Sequence, residues 1–247
     1  MTIPYRTRIT EDEATPAGLR RRVRNRLSLF RIRVWVRLLF GFGTSPLDGF
    51  WAWSRGTPVH RWYLDRYVEE HRDDIAGHVL EFSEDRYASL HGGARVAKLD
   101  ILDLEATNKA ATLVADLTKP NAIPSETFDC VICTHVLHVV GDYPAMLAEF
   151  HRILKPGGVL LIAVPLVSMV APRSMGWSEF WRFTPAGLGL ALAKSFGEAN
   201  VSARGYGNSL SSAAEIRGLA AEDLTDRELS VDDPRFPVEV CARAIKR

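Results

Sequence analysis

Two short apolar runs dominate the middle of the chain, Cys130 to Cys133 and Val159 to Val164. The first ends at polar Thr134 and His135, the second at Pro165. Runs of this length, rich in β-branched residues, predict central strands buried on both faces. Between them Ala145, Leu147, Phe150, Ile153 and Leu154 recur at helical spacing, and Lys155-Pro-Gly-Gly158 supplies helix-stop signals. A strand, helix, strand unit of this size predicts a right-handed parallel crossover. Ligands of such sheets sit beyond the carboxyl ends of the strands, here at Thr134, His135 and Pro165.

The pattern extends to both sides. Val59, Trp62, Tyr63, Tyr67 and Val68 predict a helix stopped by His71-Arg-Asp-Asp74, followed by a short strand ending in Glu81. Further strands are expected at Arg95–Asp100 and Ala111–Ala115. Thr184 with Pro185 makes a helix N-cap and first position. Asn200–Gly207 and Pro237–Ile245, separated by a polar helical insert from Ser209, predict a closing pair of antiparallel strands. The whole predicts an α/β fold: a Rossmann-like, doubly wound, seven-stranded sheet with a C-terminal antiparallel hairpin and an N-terminal helical cap.

Composition narrows the function. The 247 residues, 47% apolar, suffice for one substantial core. A net charge of +1 predicts no nucleic-acid partner. Three cysteines fit a reducing cytoplasm. Cys130 and Cys133 should face opposite sides of one strand, so no metal or redox site is expected from them. Charge is uneven, however: arginines interleave with large apolar groups from Arg20 to Phe40. One reading is a basic amphipathic helix making peripheral contact with an anionic membrane. The plainer one is an arm that packs on its own domain or on a second subunit. Residues 1–57 are accordingly taken as an N-terminal basic arm and 58–247 as the main domain.

Phe128, Asp129, Val131, Val136, Leu137, Arg152, Leu154 to Gly158 and Pro165 together resemble the fourth strand and following helix of the class I S-adenosylmethionine-dependent methyltransferases. Arg55-Gly56, Pro58, Arg61, Tyr63, Val79-Leu80-Glu81, Tyr87 and Gly92-Gly93 further resemble a bacterial methyltransferase-like subgroup of the type 11 kind, found beside glycan and secondary-metabolite genes. The resemblance implies S-adenosyl-L-methionine as cofactor and transfer of its methyl group to an oxygen or nitrogen of a small molecule, a sugar or natural product. It also implies site residues. Glu81 would order the turn after the first strand, with Arg61, Phe82, Ser83 and Tyr87 around the cofactor. Asp100, followed by Ile101, would accept hydrogen bonds from ribose hydroxyls, with Asp103 in reserve, and Asp116 with the Leu117 amide would meet adenine. Thr134 would lie at the amino-acid part. His135 stands either as general base or as a lining residue, since an imidazole accepts a proton near neutral pH. His138, Trp177, Trp181 and Arg182 are candidate substrate contacts.

One motif departs from the family. Where relatives carry glycines after the first strand, this chain reads Glu81-Phe-Ser-Glu-Asp-Arg-Tyr87. Ser83 replaces the first glycine; a serine fits there if φ stays negative, and it narrows the space beside the methionine part of the cofactor. Two alternatives follow: a methyltransferase-fold enzyme of another reaction, such as cyclisation or rearrangement, and a non-catalytic partner subunit.

Overall fold

A computed structural model describes residues 43–247; the Arg20–Phe40 segment lies outside the described residues. Residues 46–247 make one unit. Its seven strands are β1 (Gly77–Phe82), β2 (Val96–Asp103), β3 (Leu113–Val114), β4 (Phe128–Thr134), β5 (Leu154–Pro165), β6 (Val201–Tyr206) and β7 (Glu239–Ile245), in the order β3-β2-β1-β4-β5-β7-β6. β1 to β5 pair in parallel. β7 runs antiparallel to both β5 and β6. This is the doubly wound sheet with an antiparallel end that the pattern predicts.

The apolar runs lie centrally because only the middle strands are covered on both faces. Helices α2 (Tyr143–Ile153) and α3 (Pro185–Phe196) put Leu147, Phe150, Leu188 and Leu192 on one face. Helix α1 (Val59–Glu70) and α4 (Ser209–Arg217) put Tyr63, Leu64, Tyr67 and Ala214 on the other, before a short α5 (Asp226–Leu229). Cys133 packs in the first layer and Cys130 in the second, as their odd spacing on β4 requires. Each fully buried Leu or Phe contributes roughly 1.5–3 kcal/mol. Thr184 caps α3 as expected, accepting the Gly187 amide at 3.1 Å.

Two boundaries differ from expectation. The Lys155-Pro-Gly-Gly158 signal stops α2 at Ile153, yet β5 begins at once at Leu154 and carries that signal as its first residues. Gly157 takes φ 83° and donates its amide to Lys246, while a Cβ at Gly158 would sit 2.9 Å from the Lys155 carbonyl oxygen. The glycines thus serve close strand packing rather than a helix cap. β2, for its part, runs three residues past Asp100, because Ile101 and Leu102 continue the ladder opposite Glu81 and Phe82.

No helix among the described residues is long and apolar enough to cross a membrane.

Candidate functional site

The carboxyl ends of β1 to β4 open on a cavity of about 670 Å³, lined among others by Phe82, Ser83, Asp103, Asp116, Leu117, His135 and Trp177. Small-molecule sites typically span roughly 300–1,000 Å³. Its floor is the turn after β1. Here Ser83 takes φ 62°, so the condition of a negative φ is not met: the chain makes the left-handed turn of a glycine without the glycine. Neighbouring bonds hold it there. The Ser83 amide donates to the Leu102 carbonyl at 2.9 Å, and Asn108 Nδ2 donates to the Ser83 carbonyl at 2.8 Å. Beneath the turn the buried Glu81 carboxylate accepts the Tyr87 and Ala88 amides, both at 2.8 Å. Burial pushes its pKa up to about 7 against the pull of those two amides.

The acid at the end of β2 needs correction. Asp100 sits in mid-strand opposite Leu80, 8% exposed, bonded to His78 Nε2 at 2.6 Å, Lys98 at 3.0 Å and Thr112 at 2.8 Å. It lies in a separate hollow, with His78 and Lys98, on the opposite face of β2 from Asp103. Three further residues, about 10 Å of strand, carry the chain to Asp103, which lines the cavity and accepts Asn108 Nδ2 at 2.7 Å. That bond outweighs its slight burial, which acts the other way, and holds its carboxyl below the usual range. Ile101 likewise stays in the ladder, its amide on Thr112. Asp116 lies where expected, at the cavity after β3. Lys119 and Thr118 hold its pKa down to about 2.

A smaller pocket of about 240 Å³ adjoins. Trp51, Trp53, Trp177 and Pro165 form its apolar walls, and His60, Arg61, His135, His138, Ser168 and Glu179 its polar ones. His135 and Trp177 line both spaces. His135 takes φ 55° and Trp51 φ 53°, so with Ser83 three non-glycine residues are held left-handed at this site. Its Nε2 lies 2.9 Å from Glu239 Oε1, and its ring centroid 5.1 Å from that of His60, whose Nδ1 is 2.8 Å from Glu215. Glu215 also accepts Ser168 Oγ at 3.0 Å, and Ser168 accepts the Trp51 indole N–H. His138 is buried, 3.7 Å from Glu179, with Nδ1 unpartnered. Burial, reinforced by His135 and Arg182, brings its pKa down to about 3.

The remaining expected residues divide. Arg61 lines the small pocket, donates to Tyr87 Oη at 3.0 Å, and keeps a buried, unpartnered Nε. Thr134 ends β4 opposite Ala163 and leaves the cleft to His135. Trp181 is not in the pocket: its indole N–H donates to the Val140 carbonyl and its ring packs on Tyr143. Arg182 pairs with Glu179 and donates to the Met169 carbonyl, so it braces the wall. Four residues went unread in the sequence: His60, Glu179, Glu215 and Glu239. Only Glu239 carries a signal, as a lone acid in the apolar run from Val238 to Ala242.

Parts of the chain are similar to known proteins. Residues 83–162 match the methyltransferase domain family. The probable methyltransferase ltbC of Aspergillus luteorubrus is 40% identical over 63 residues, covering 24% of this chain and 22% of that protein. The demethylmenaquinone methyltransferase of Listeria monocytogenes serotype 4a (strain HCC23) is 30% identical over 128 residues, covering 49% and 48%. The chain spans less than half the length of the curated relatives it matches. An S-adenosylmethionine-dependent methyltransferase structure from Mesorhizobium loti aligns with a TM-score of 0.48 at 16% identity, over 76% of this chain and 98% of that one.

Proposed function

Because the chain carries a class I S-adenosyl-L-methionine-dependent methyltransferase domain, we propose that it transfers a methyl group to an oxygen or nitrogen of a small molecule seated in the smaller pocket. S-Adenosyl-L-methionine, the cofactor of this domain, supplies when bound an electrophilic methyl on a sulfonium centre. The larger cavity suits it. Asp103 and Asp116 are among the carboxylates that line it, and the Ser83 turn takes the left-handed conformation of a glycine there. Asp103 would accept the ribose hydroxyls, and Asp116 with the Leu117 amide would meet the adenine. Arg61 lines the smaller pocket rather than this cavity, so its cation faces the acceptor.

The observation that carries this reading is the sharing of His135 and Trp177 between the two spaces. An acceptor between the tryptophans would have its reacting atom beside the imidazole, which takes the proton the acceptor gives up. Alignment supplies most of the remaining rate. The aromatic walls and the three histidines suit a compact ring bearing hydroxyl groups. The Listeria relative, by its name, acts on demethylmenaquinone, a small molecule, which supports this class of acceptor.

Calorimetry of S-adenosylmethionine and S-adenosylhomocysteine against purified protein tests the reading. Micromolar binding, lost in Asp116→Ala, is expected. A folded protein that binds neither compound would overturn it.

A further inference from the structure

β7 brings to the cleft an acid that no strand-end motif marks. Because β7 alone runs against β5, its first residue, Glu239, stands at the carboxyl ends of the parallel strands, opposite Pro165 and Tyr206. Its side chain is fully buried. One oxygen meets His135 Nε2 at 2.9 Å, and the other has no hydrogen-bond partner. The nitrogen that Glu239 does not hold, Nδ1, is left to the pocket that His135 lines.

We propose that Glu239 is a positioning residue that decides which nitrogen of His135 carries the proton, making Nδ1 a donor in one state of the pair and a base for a substrate hydroxyl in the other. The inference rests on the reading of His135 as the base. In the first state Glu239 is a carboxylic acid whose Oε1–H donates to the lone pair of Nε2, so the imidazole's own proton must sit on Nδ1. When the pair loses one proton, the shared proton passes from Oε1 to Nε2 and the Nδ1 proton departs. The carboxylate then orients the imidazole through Nε2–H, and Nδ1 presents its lone pair.

The surroundings set where this change falls. Burial pushes Glu239 up to about 8 and holds His135 well below the usual imidazole range. His60 and Arg61 on α1, and Arg182 before α3, draw Glu239 toward ionisation, while Glu215 on α4 opposes it. His138 and the buried Cys241 thiol lie against the same pair. The base form therefore gathers as pH rises through about 8.

The test is nuclear magnetic resonance of the full chain with ¹⁵N-labelled histidine rings, titrated from mildly acidic to alkaline pH, with His135 assigned by the spectrum of His135→Gln. The wild type should show the His135 proton moving from Nδ1 to Nε2 in a step near pH 8. Glu239→Gln, which has no proton to release, should show no step. A step that persists in Glu239→Gln, or a wild-type His135 that keeps one tautomer throughout, would overturn the proposal. If Glu239→Gln does not fold, the wild-type titration alone decides. S-Adenosylhomocysteine calorimetry on the same samples separates the two ideas: a wild type that binds none removes the methyl-transfer reading, while the tautomer step still decides the role of Glu239.

Discussion

Ser83→Gly should make the protein more stable, although a glycine usually weakens a fold. Ser83 holds φ 62°, in the left-handed region that costs an L residue roughly 1–2 kcal/mol. Glycine removes that cost and adds roughly 0.5–1 kcal/mol of backbone entropy loss. The two bonds that fix the turn involve only the Ser83 backbone and survive the change, while the weak bond of the exposed Ser83 hydroxyl to Asp103 is lost and trims the gain toward its lower end. The net gain is about 0.5–1 kcal/mol, or a rise in Tm of ~1–4 °C for a chain of this size. Ser83→Val should move the other way, since a β-branched residue tolerates this backbone region worse. Thermal unfolding followed by circular dichroism reads both. A Ser83→Gly protein that melts at or below the wild type would refute the reasoning, because it would mean that the turn stores no strain at this residue.

Asp103→Ala should weaken S-adenosylhomocysteine binding about 10–100-fold in calorimetry, the worth of hydrogen bonds to a charged group. Asp100→Ala should leave affinity within about twofold and instead lower Tm, since it strips partners from His78, Lys98 and Thr112; the reverse pattern would restore Asp100 to the site. Glu81, pushed up to about 7, holds its proton in the folded state at pH values where the unfolded chain has lost it. Its contribution to stability is therefore full below about pH 4.5 and lost as pH rises to about 7, so the Tm gap between wild type and Glu81→Gln should shrink across that window and stay level above it. Thr184→Ala removes the cap on α3 and should cost about 1 kcal/mol, or ~2–4 °C in Tm.

Most of the fold lies in local pattern. The run from Cys130 to Cys133 and the helical spacing of Leu147 and Phe150 report which side chains leave water, and burial of apolar surface is the largest favourable contribution to folding. The Thr184 cap and the opposed faces of Cys130 and Cys133 follow from geometry within a few residues. The approximate places of Asp116 and His135 were legible for the same reason: each stands at the end of an apolar run, and strand ends are where a parallel sheet binds its ligands.

What the local pattern could not specify depended on the partners of each residue. Asp100 read as the strand-end acid, with Asp103 only in reserve; pairing of Ile101 and Leu102 with β1 carried the ladder past the first and gave the cleft to the second. The φ of Ser83 is set by the Leu102 carbonyl and the Asn108 side chain, not by the preference of serine. Glu239 lies 104 residues from His135, and no spacing along the chain relates them. The amino acids alone determined a doubly wound sheet with acids and a histidine at its ligand-binding end. Tertiary structure decided which acid faces the cleft and, by reversing one strand, which carboxylate holds the histidine, because both are settled by contacts between segments that meet only when the chain is folded.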